Sequence, residues 1–319
     1  MSSPEDPSTT SADSVTPAEN GMKRQRTDAG DTNVLPGDES QLTASTSSGP
    51  ITAEGEMPRK KYYRARAHCN PLSHNNAFDY PTMPSFLDWT DVHYPNHPLP
   101  KGTSDKVVPT VLDIGCGFGG LTIALATLMG DKTILGLEIR DKVAEYVRLR
   151  IAACRKQNPG QYENCSVMRS NTMKNMPNMF EKASLDKMFF CFPDPHFKRK
   201  NHPRRIISER LLSEYAYFLK PVTGRLYAIT DVEELHQWHL EKCRSHPLFR
   251  ELTAEEMDAD PCVAAMRVET EEGKKVARAG ANKYYTVYQR IASDEVEENL
   301  ISADSFWDEG QFGVRKVKE

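Results

Sequence analysis

No stretch of the 319-residue chain holds the roughly 18 consecutive apolar residues that a membrane-crossing helix requires. The amino terminus also lacks the apolar segment of a secretory signal. An intracellular, soluble chain with no membrane partner is therefore expected. Its seven cysteines, Cys69, Cys116, Cys154, Cys165, Cys191, Cys243 and Cys262, contain no C-x-x-C pair and are odd in number. Neither a zinc site nor a disulfide framework is indicated, and no metal is expected. Several of these cysteines stand among apolar residues, where cysteine behaves as a small hydrophobe.

Aromatic residues are missing before Tyr62, and half of the first 50 residues are Ser, Thr, Pro or Gly. Such a segment cannot bury enough apolar surface to offset the entropy of ordering, so residues 1–57 are predicted to be a disordered tail. Within it, Lys23–Arg26 reads as a nuclear-import signal or a chance basic cluster. Residues 292–319 form an acidic, polar tail. Between the tails lie 234 residues, enough for one α/β domain.

Acids are scarce where bases gather. Residues 1–57 carry a net −7 and residues 292–319 a net −5, so residues 58–291 carry +8 behind an overall charge of −4. A basic core suits a polyanionic partner, though a solvated basic surface would look the same. No acid occurs between Glu56 and Asp79, where "PRKKYYRARAHCNP" mixes five Lys/Arg with Tyr62 and Tyr63. Bases interleaved with aromatics suit RNA, so residues 58–106 are read as a basic RNA-binding arm and lead-in. Nor does any acid occur between Asp194 and Glu209, a run holding Lys198, Arg199, Lys200, His202, Arg204 and Arg205. Such a run attracts a phosphate backbone.

From Val107 onward strand and helix signals alternate. Strands are predicted at Thr110–Ile114, Thr133–Leu137, Cys165–Ser170, Leu185–Phe192, Gly224–Thr230 and Asn282–Ile291. Helices are predicted at Gly119–Met129, Arg140–Gln157, Arg204–Leu219 and Val232–His246. This alternation specifies an α/β fold with a doubly wound, mostly parallel sheet. Ligands of such sheets sit beyond the carboxyl ends of the strands.

Each chemical motif falls at such an end. "DIGCGFGG" joins the first strand to the first helix, and Gly115, Gly117 and Gly119 let its backbone turn sharply. Glu138 ends the second strand, where an acid accepts the ribose hydroxyls of a nucleotide. NAD and S-adenosylmethionine both fit. The spacing G-x-G-x-G-G departs from the dinucleotide G-x-G-x-x-G. Asp113 offers a carboxylate to a cationic ligand, and Asn171 after the third strand suits the adenine amine. These details favour S-adenosylmethionine; a turn or helix cap is the plainer role for Asn171. Asp194 follows the fourth strand between Pro193 and Pro195, which fix φ and stiffen the turn. It is read as the acid that faces a substrate, with a helix cap or a pair with Lys198 as the plainer alternative.

The motifs "DIGCGFGG", "LGLEIRDKV", "RSNTMK", "FFCFPDPHFKRKNHPRRIIS", "YAITDVEELHQWH" and "TEEGKK" run in order between Pro58 and Ile291. Together they resemble the tRNA (guanine-N7-)-methyltransferase family in its eukaryotic form. The resemblance implies a methyltransferase domain over residues 107–291, with a mostly parallel seven-stranded sheet of the S-adenosylmethionine-dependent (class I) type. It implies methyl transfer to N7 of a guanine in the tRNA variable loop and a non-catalytic WD-repeat partner. It assigns Gly115, Glu138, Ile139, Arg140, Asn171, Thr172 and Cys191 to the cofactor pocket, and Asp194 to catalysis. Lys198 and Asp231 fall near the substrate, and Thr270 and Glu272 on the cofactor side. "TEEGKK" also reads as a helix start capped by Thr270. Asn201 and Pro203 stand where family members often carry lysine, which weakens the basic run. Rival readings are an NAD-dependent dehydrogenase, a non-catalytic RNA-binding subunit of the same fold, and a methyltransferase of proteins or small molecules.

Overall fold

The computed structural model describes residues 55–66, 69–73, 78–98 and 106–294. All but the inner few residues of both expected tails lie outside the described residues, and so does Lys23–Arg26. Among the described residues no helix is long and apolar enough to cross a membrane.

Seven strands form one sheet: β1 (Val111–Ile114), β2 (Ile134–Glu138), β3 (Cys165–Arg169), β4 (Lys187–Cys191), β5 (Arg225–Thr230), β6 (Phe249–Glu251) and β7 (Tyr284–Arg290). Their order is β3-β2-β1-β4-β5-β7-β6. The first five are mutually parallel, and β7 runs antiparallel between β5 and β6. The strand order reverses direction between β1 and β4, so the ligand crevice belongs at their carboxyl ends.

The apolar runs form strands because both faces of the sheet are covered. Successive side chains point to opposite faces. On β4, Met188 and Phe190 enter one core layer, while Phe189 enters the other and stacks on Tyr227 with ring centroids 4.3 Å apart. The first layer lies under α1 (Trp89–His93), α4 (Thr172–Met179), α5 (Glu209–Phe218) and α6 (Glu233–Arg244). The second lies under α2 (Gly120–Leu128), α3 (Asp141–Gln157) and α8 (Pro261–Glu269). Two short helices, α7 (Ala254–Asp258) and α9 (Glu271–Arg278), flank α8.

One predicted element differs substantially. The helix expected from Arg204 starts only at Glu209, because residues Arg199–Arg204 form a 3₁₀ turn containing Pro203. Arg205 and Ser208 are extended, which separates the turn from the helix. Residues 205–208 thus run as a linker between the turn and α5.

The opposite end of the sheet is fastened by Asp260, the residue that caps α8. Its carboxylate accepts from Tyr227 Oη at 2.6 Å, Arg225 Nη1 at 2.7 Å and the Cys262 backbone N–H at 2.9 Å. These contacts, together with the nearby Lys187 ammonium, hold its pKa below the usual carboxylate range despite burial. Removing one partner of such a network strands buried donors. Asp260→Ala should lower the unfolding free energy by about 3 kcal/mol in urea titrations, with cofactor affinity of the folded protein unchanged.

Candidate active site

A cleft of about 220 Å³ opens at the carboxyl ends of β1, β2 and β4. Of the residues expected from sequence, Gly115, Glu138, Ile139, Arg140, Asn171, Thr172, Cys191, Asp194 and Arg204 line it. Cys69, Pro71, Phe192 and His196 line it too.

The glycine loop forms one wall. Gly115, Gly117 and Gly119 all stand in the left-handed region, with φ of 70°, 55° and 75°. A side chain at Gly119 would also meet Val147 Cγ1 at 2.7 Å. Gly120 begins α2, and a Cβ there would lie 2.4 Å from the Glu269 carbonyl. The α8–α9 joint is therefore pressed against the loop. From that joint Glu271 reaches the amino end of α2, where Oε2 accepts the Gly120 N–H at 3.2 Å. Its other oxygen takes Arg150 Nη1 at 2.8 Å and Lys60 Nζ at 3.1 Å. These two cations hold Glu271 ionised despite its burial.

That contact bears on the cofactor. A helix amino terminus after a glycine loop is where a dinucleotide places its pyrophosphate. Here a carboxylate already occupies it, and two more lie close by. Asp113 is buried beneath the loop and accepts a 2.7 Å hydrogen bond from Thr122 Oγ1. Burial, then the negative charges of Glu271 and Glu138, push its pKa up to about 7. Glu138 is 2% exposed and accepts from the Arg140 backbone N–H, Nε and Nη2 at 2.9, 3.0 and 2.7 Å. Three bonds leave it room for about one more donor, such as a ribose hydroxyl. Glu271 takes an N–H that a pyrophosphate would use, and Asp113, once ionised, favours a cationic sulfonium. The residues present therefore fit S-adenosylmethionine.

Asn171 has a dual position. Its Oδ1 caps α4 through the Met173 N–H at 3.1 Å, and its Nδ2 donates to the Pro71 carbonyl at 2.6 Å. The basic arm thus crosses the cleft edge. Lys60 lies 5.0 Å over the Phe118 ring, and Tyr63 packs edge-on against Tyr146. Tyr62 faces outward, 42% exposed.

Asp194 stands on the facing wall in a turn that begins and ends in the left-handed region, at Phe192 (φ 51°) and His196 (φ 46°). Two such non-glycine residues cost about 1–3 kcal/mol each, so the turn is held by its surroundings. The two prolines fix φ from within. The His196 N–H lies 3.4 Å from Asp194 Oδ1, and its ring Nδ1 3.8 Å from Oδ2. Behind the turn, Phe192 lies against Gly273 of α9.

Several expected residues stand elsewhere. Asp113, Gly117 and Gly119 support the loop without lining the cleft. Thr270 caps α9 through the Gly273 N–H at 2.9 Å and sits one layer behind the wall. Glu272 faces solvent and pairs with Lys275 at 2.7 Å. The acid turned inward is its neighbour Glu271, which sequence reasoning did not single out; its signal lay in the two consecutive acids after the Thr270 cap. Lys198, Arg199, Lys200 and Asp231 are exposed. Arg205 corrects the phosphate-binding expectation. Its side chain is 2% exposed, because it bonds the Pro195 carbonyl at 2.9 Å and Glu234 Oε1 at 2.7 Å. Buried among those partners, it cannot reach a phosphate. Among the described residues no group of His, Cys, Asp and Glu could hold a metal ion.

Asp113 generates a pH dependence. Below about pH 7 it is protonated, and above that it adds negative charge beneath the cleft. A cationic cofactor favours the ionised form, so its affinity should rise as pH approaches 7 and level off above, by up to about tenfold per unit. Calorimetric titration of S-adenosylmethionine between pH 6 and 8.5 checks this, and Asp113→Asn should flatten the curve.

Residues 108–286 match the protein family described as "Putative methyltransferase". A tRNA (guanine-N(7)-)-methyltransferase of Arabidopsis thaliana is 52% identical, over 74% of this chain and 93% of its own length. Those of Yarrowia lipolytica and Schizosaccharomyces pombe are 51% and 49% identical, over 77% and 75% of this chain and 82% and 87% of theirs. Identity of this extent over most of both chains, on a seven-stranded sheet of the expected topology, places the chain in the tRNA (guanine-N7-)-methyltransferase family.

Proposed function

We propose that this chain is the catalytic subunit of a tRNA methyltransferase that forms N7-methylguanosine in the variable loop. The observation that carries the reading is the position of Asp194. It shares one cleft with Glu138 and Asn171, at the mouth of a sheet whose next segment is a basic run.

S-adenosylmethionine supplies a methyl group activated on a cationic sulfur. Guanine N7 attacks with its own lone pair, so no proton need be removed first. What remains for the protein is orientation and charge placement. Asp194 accepts hydrogen bonds from guanine N1–H and N2–H₂, which distinguishes guanine from adenine. Its charge then stabilises the purine as positive charge develops on it. Cys191 is a wall residue: burial pushes its thiol far above the ordinary range, which keeps it protonated. The exposed Lys198, Arg199 and Lys200 and the cleft-edge Arg204 hold flanking phosphates, and Tyr62 offers a ring to an unstacked base. Asp231, at the carboxyl end of β5, lies on the substrate side.

A second subunit accords with the surface. A hollow of about 470 Å³ is lined by Pro84, Pro177, Phe180, Tyr217 and Phe218 with Glu181, Ser213 and Glu214 among them, and Tyr217 and nearby Phe86 are 51% and 69% exposed. Apolar surface of this kind marks an interface, and we assign it to the WD-repeat partner. The Lys23–Arg26 cluster would direct the protein to the nucleus. A dehydrogenase is disfavoured because Glu271 already fills the anion site at α2. A non-catalytic subunit is disfavoured by the intact cleft.

The deciding experiment is methyl transfer to total tRNA, with and without the WD-repeat protein, followed by mapping of the modified base. Asp194→Asn should slow transfer at least about a hundredfold with cofactor affinity retained; a near-native rate with unchanged guanine preference would remove Asp194 from the mechanism. Replacing Lys198, Arg199 and Lys200 by Gln should weaken tRNA binding and lower the slope of log affinity against log salt by about one for each phosphate that is no longer held. Filter binding at several salt concentrations reads both.

A further inference from the structure

Arg205 is unlike the exposed bases that precede it. Its Nε donates to the carbonyl of Pro195, the residue immediately after Asp194, at 2.9 Å. Its Nη2 donates to Glu234 Oε1, in the first turn of α6, at 2.7 Å. Its guanidinium lies 4.7 Å from the centre of the Trp238 ring. That ring is itself fixed, since Nε1 donates to the Ile207 carbonyl at 2.7 Å and His202 packs edge-on against it at 5.3 Å.

We infer that Arg205 is a positioning residue of the methyl-transfer reaction, clamping the turn that carries Asp194 to the start of α6. The inference rests on the reading of Asp194 given above. Three features of the geometry support it. The turn from Phe192 to His196 is left-handed at both ends, a conformation that surrounding contacts must impose. Pro195 has no N–H, so its carbonyl is the backbone group through which that residue can be tied. And the anchor on α6 lies three residues beyond Asp231, so the clamp joins the two acids on the substrate side into one unit. Arginine is required for this. Its planar fork serves two acceptors while stacking on a ring, whereas a lysine ammonium on a flexible stem does not. A reaction that relies on orientation responds steeply to the loss: a displacement near 1 Å can cost about a hundredfold.

The test is single-turnover transfer by full-length Arg205→Lys on tRNA, with the WD-repeat partner if activity needs it. The rate should fall about ten- to a hundredfold, with KM for S-adenosylmethionine within about twofold of the parent and the salt slope of tRNA binding unchanged. Because Arg205 acts through Asp194, the double variant with Asp194→Asn should be no slower than Asp194→Asn alone. A native rate in Arg205→Lys, or rate losses that multiply in the double variant, would overturn the inference. So would a reduced salt slope, which would return Arg205 to phosphate binding. If Arg205→Lys fails to fold, judged by lost cofactor affinity, Glu234→Gln carries the test: a smaller fall in rate supports the clamp, and a native rate removes it. A fast Asp194→Asn would defeat the reading of Asp194 itself; a slow Asp194→Asn beside a fast Arg205→Lys would defeat the clamp alone.

Discussion

A carboxylate supplied by the chain itself fills the amino end of α2, and the character of the site follows from it. The first N–H groups of a helix lack partners and attract an anion. In this fold that anion is Glu271, which closes the Gly120 N–H. That N–H is not offered to the phosphate of a ligand. Asp113 below the loop adds negative charge as it ionises near pH 7, which favours a ligand carrying positive charge. The same carboxylate takes Arg150 and Lys60, which ties α3 and the basic arm to the loop. Close packing makes this possible: with a Cβ at Gly120, the α8–α9 joint could not approach.

The opposite wall obeys a different constraint. N7 of guanine needs no base, so the acid there must be accurate rather than strongly basic. If Asp194 faces the guanine as proposed, that accuracy explains its place between two prolines in a turn left-handed at both ends. A relaxed loop would let the carboxylate wander by more than a hydrogen bond tolerates. The strain, about 1–3 kcal/mol at each left-handed residue, is offset by contacts from outside the turn. An arginine bond to a neutral carbonyl contributes on the order of 1.5–3 kcal/mol, so Arg205 alone balances much of one such residue.

The order and type of the main elements were legible because buried parallel strands are spelled as short apolar runs, and α3 repeats its apolar residues every four positions. Other elements were not. Three-residue β6 is shorter than any pattern, and Pro177 hides α4, although its cap at Asn171 was visible. In the site, Gly115, Glu138, Asn171 and Asp194 were legible for one shared reason: each ends a strand, and strand ends are where this fold binds ligands. Glu271 and Glu272 were not separable. Which of two adjacent acids turns inward depends on the rotational phase of α9, which its packing on Phe192 and Gly120 decides. Arg205 failed for a related reason. A base in a basic run looks solvated until Glu234 and Trp238, some thirty residues later, are brought against it.

The division of the basic residues follows from side-chain physics. A surplus of eight positive charges in residues 58–291 suggests a broad grip on a polyanion. Part of the gross positive charge is engaged internally. Arg140 is held by Glu138, Arg150 and Lys60 by Glu271, Arg225 by Asp260 and Arg205 by Glu234. Four of these five are arginines, whose delocalised charge is less costly to desolvate and whose fork fits a carboxylate at two points. The bases at Lys198, Arg199 and Lys200, together with Arg64 and Arg66 on the arm, remain at the surface. Those pairs cancel in the net charge, so the surplus rests on the bases that remain at the surface. The bases free to meet a phosphate backbone therefore stand on the arm and beside the 3₁₀ turn, while the inward arginines are tied to carboxylates.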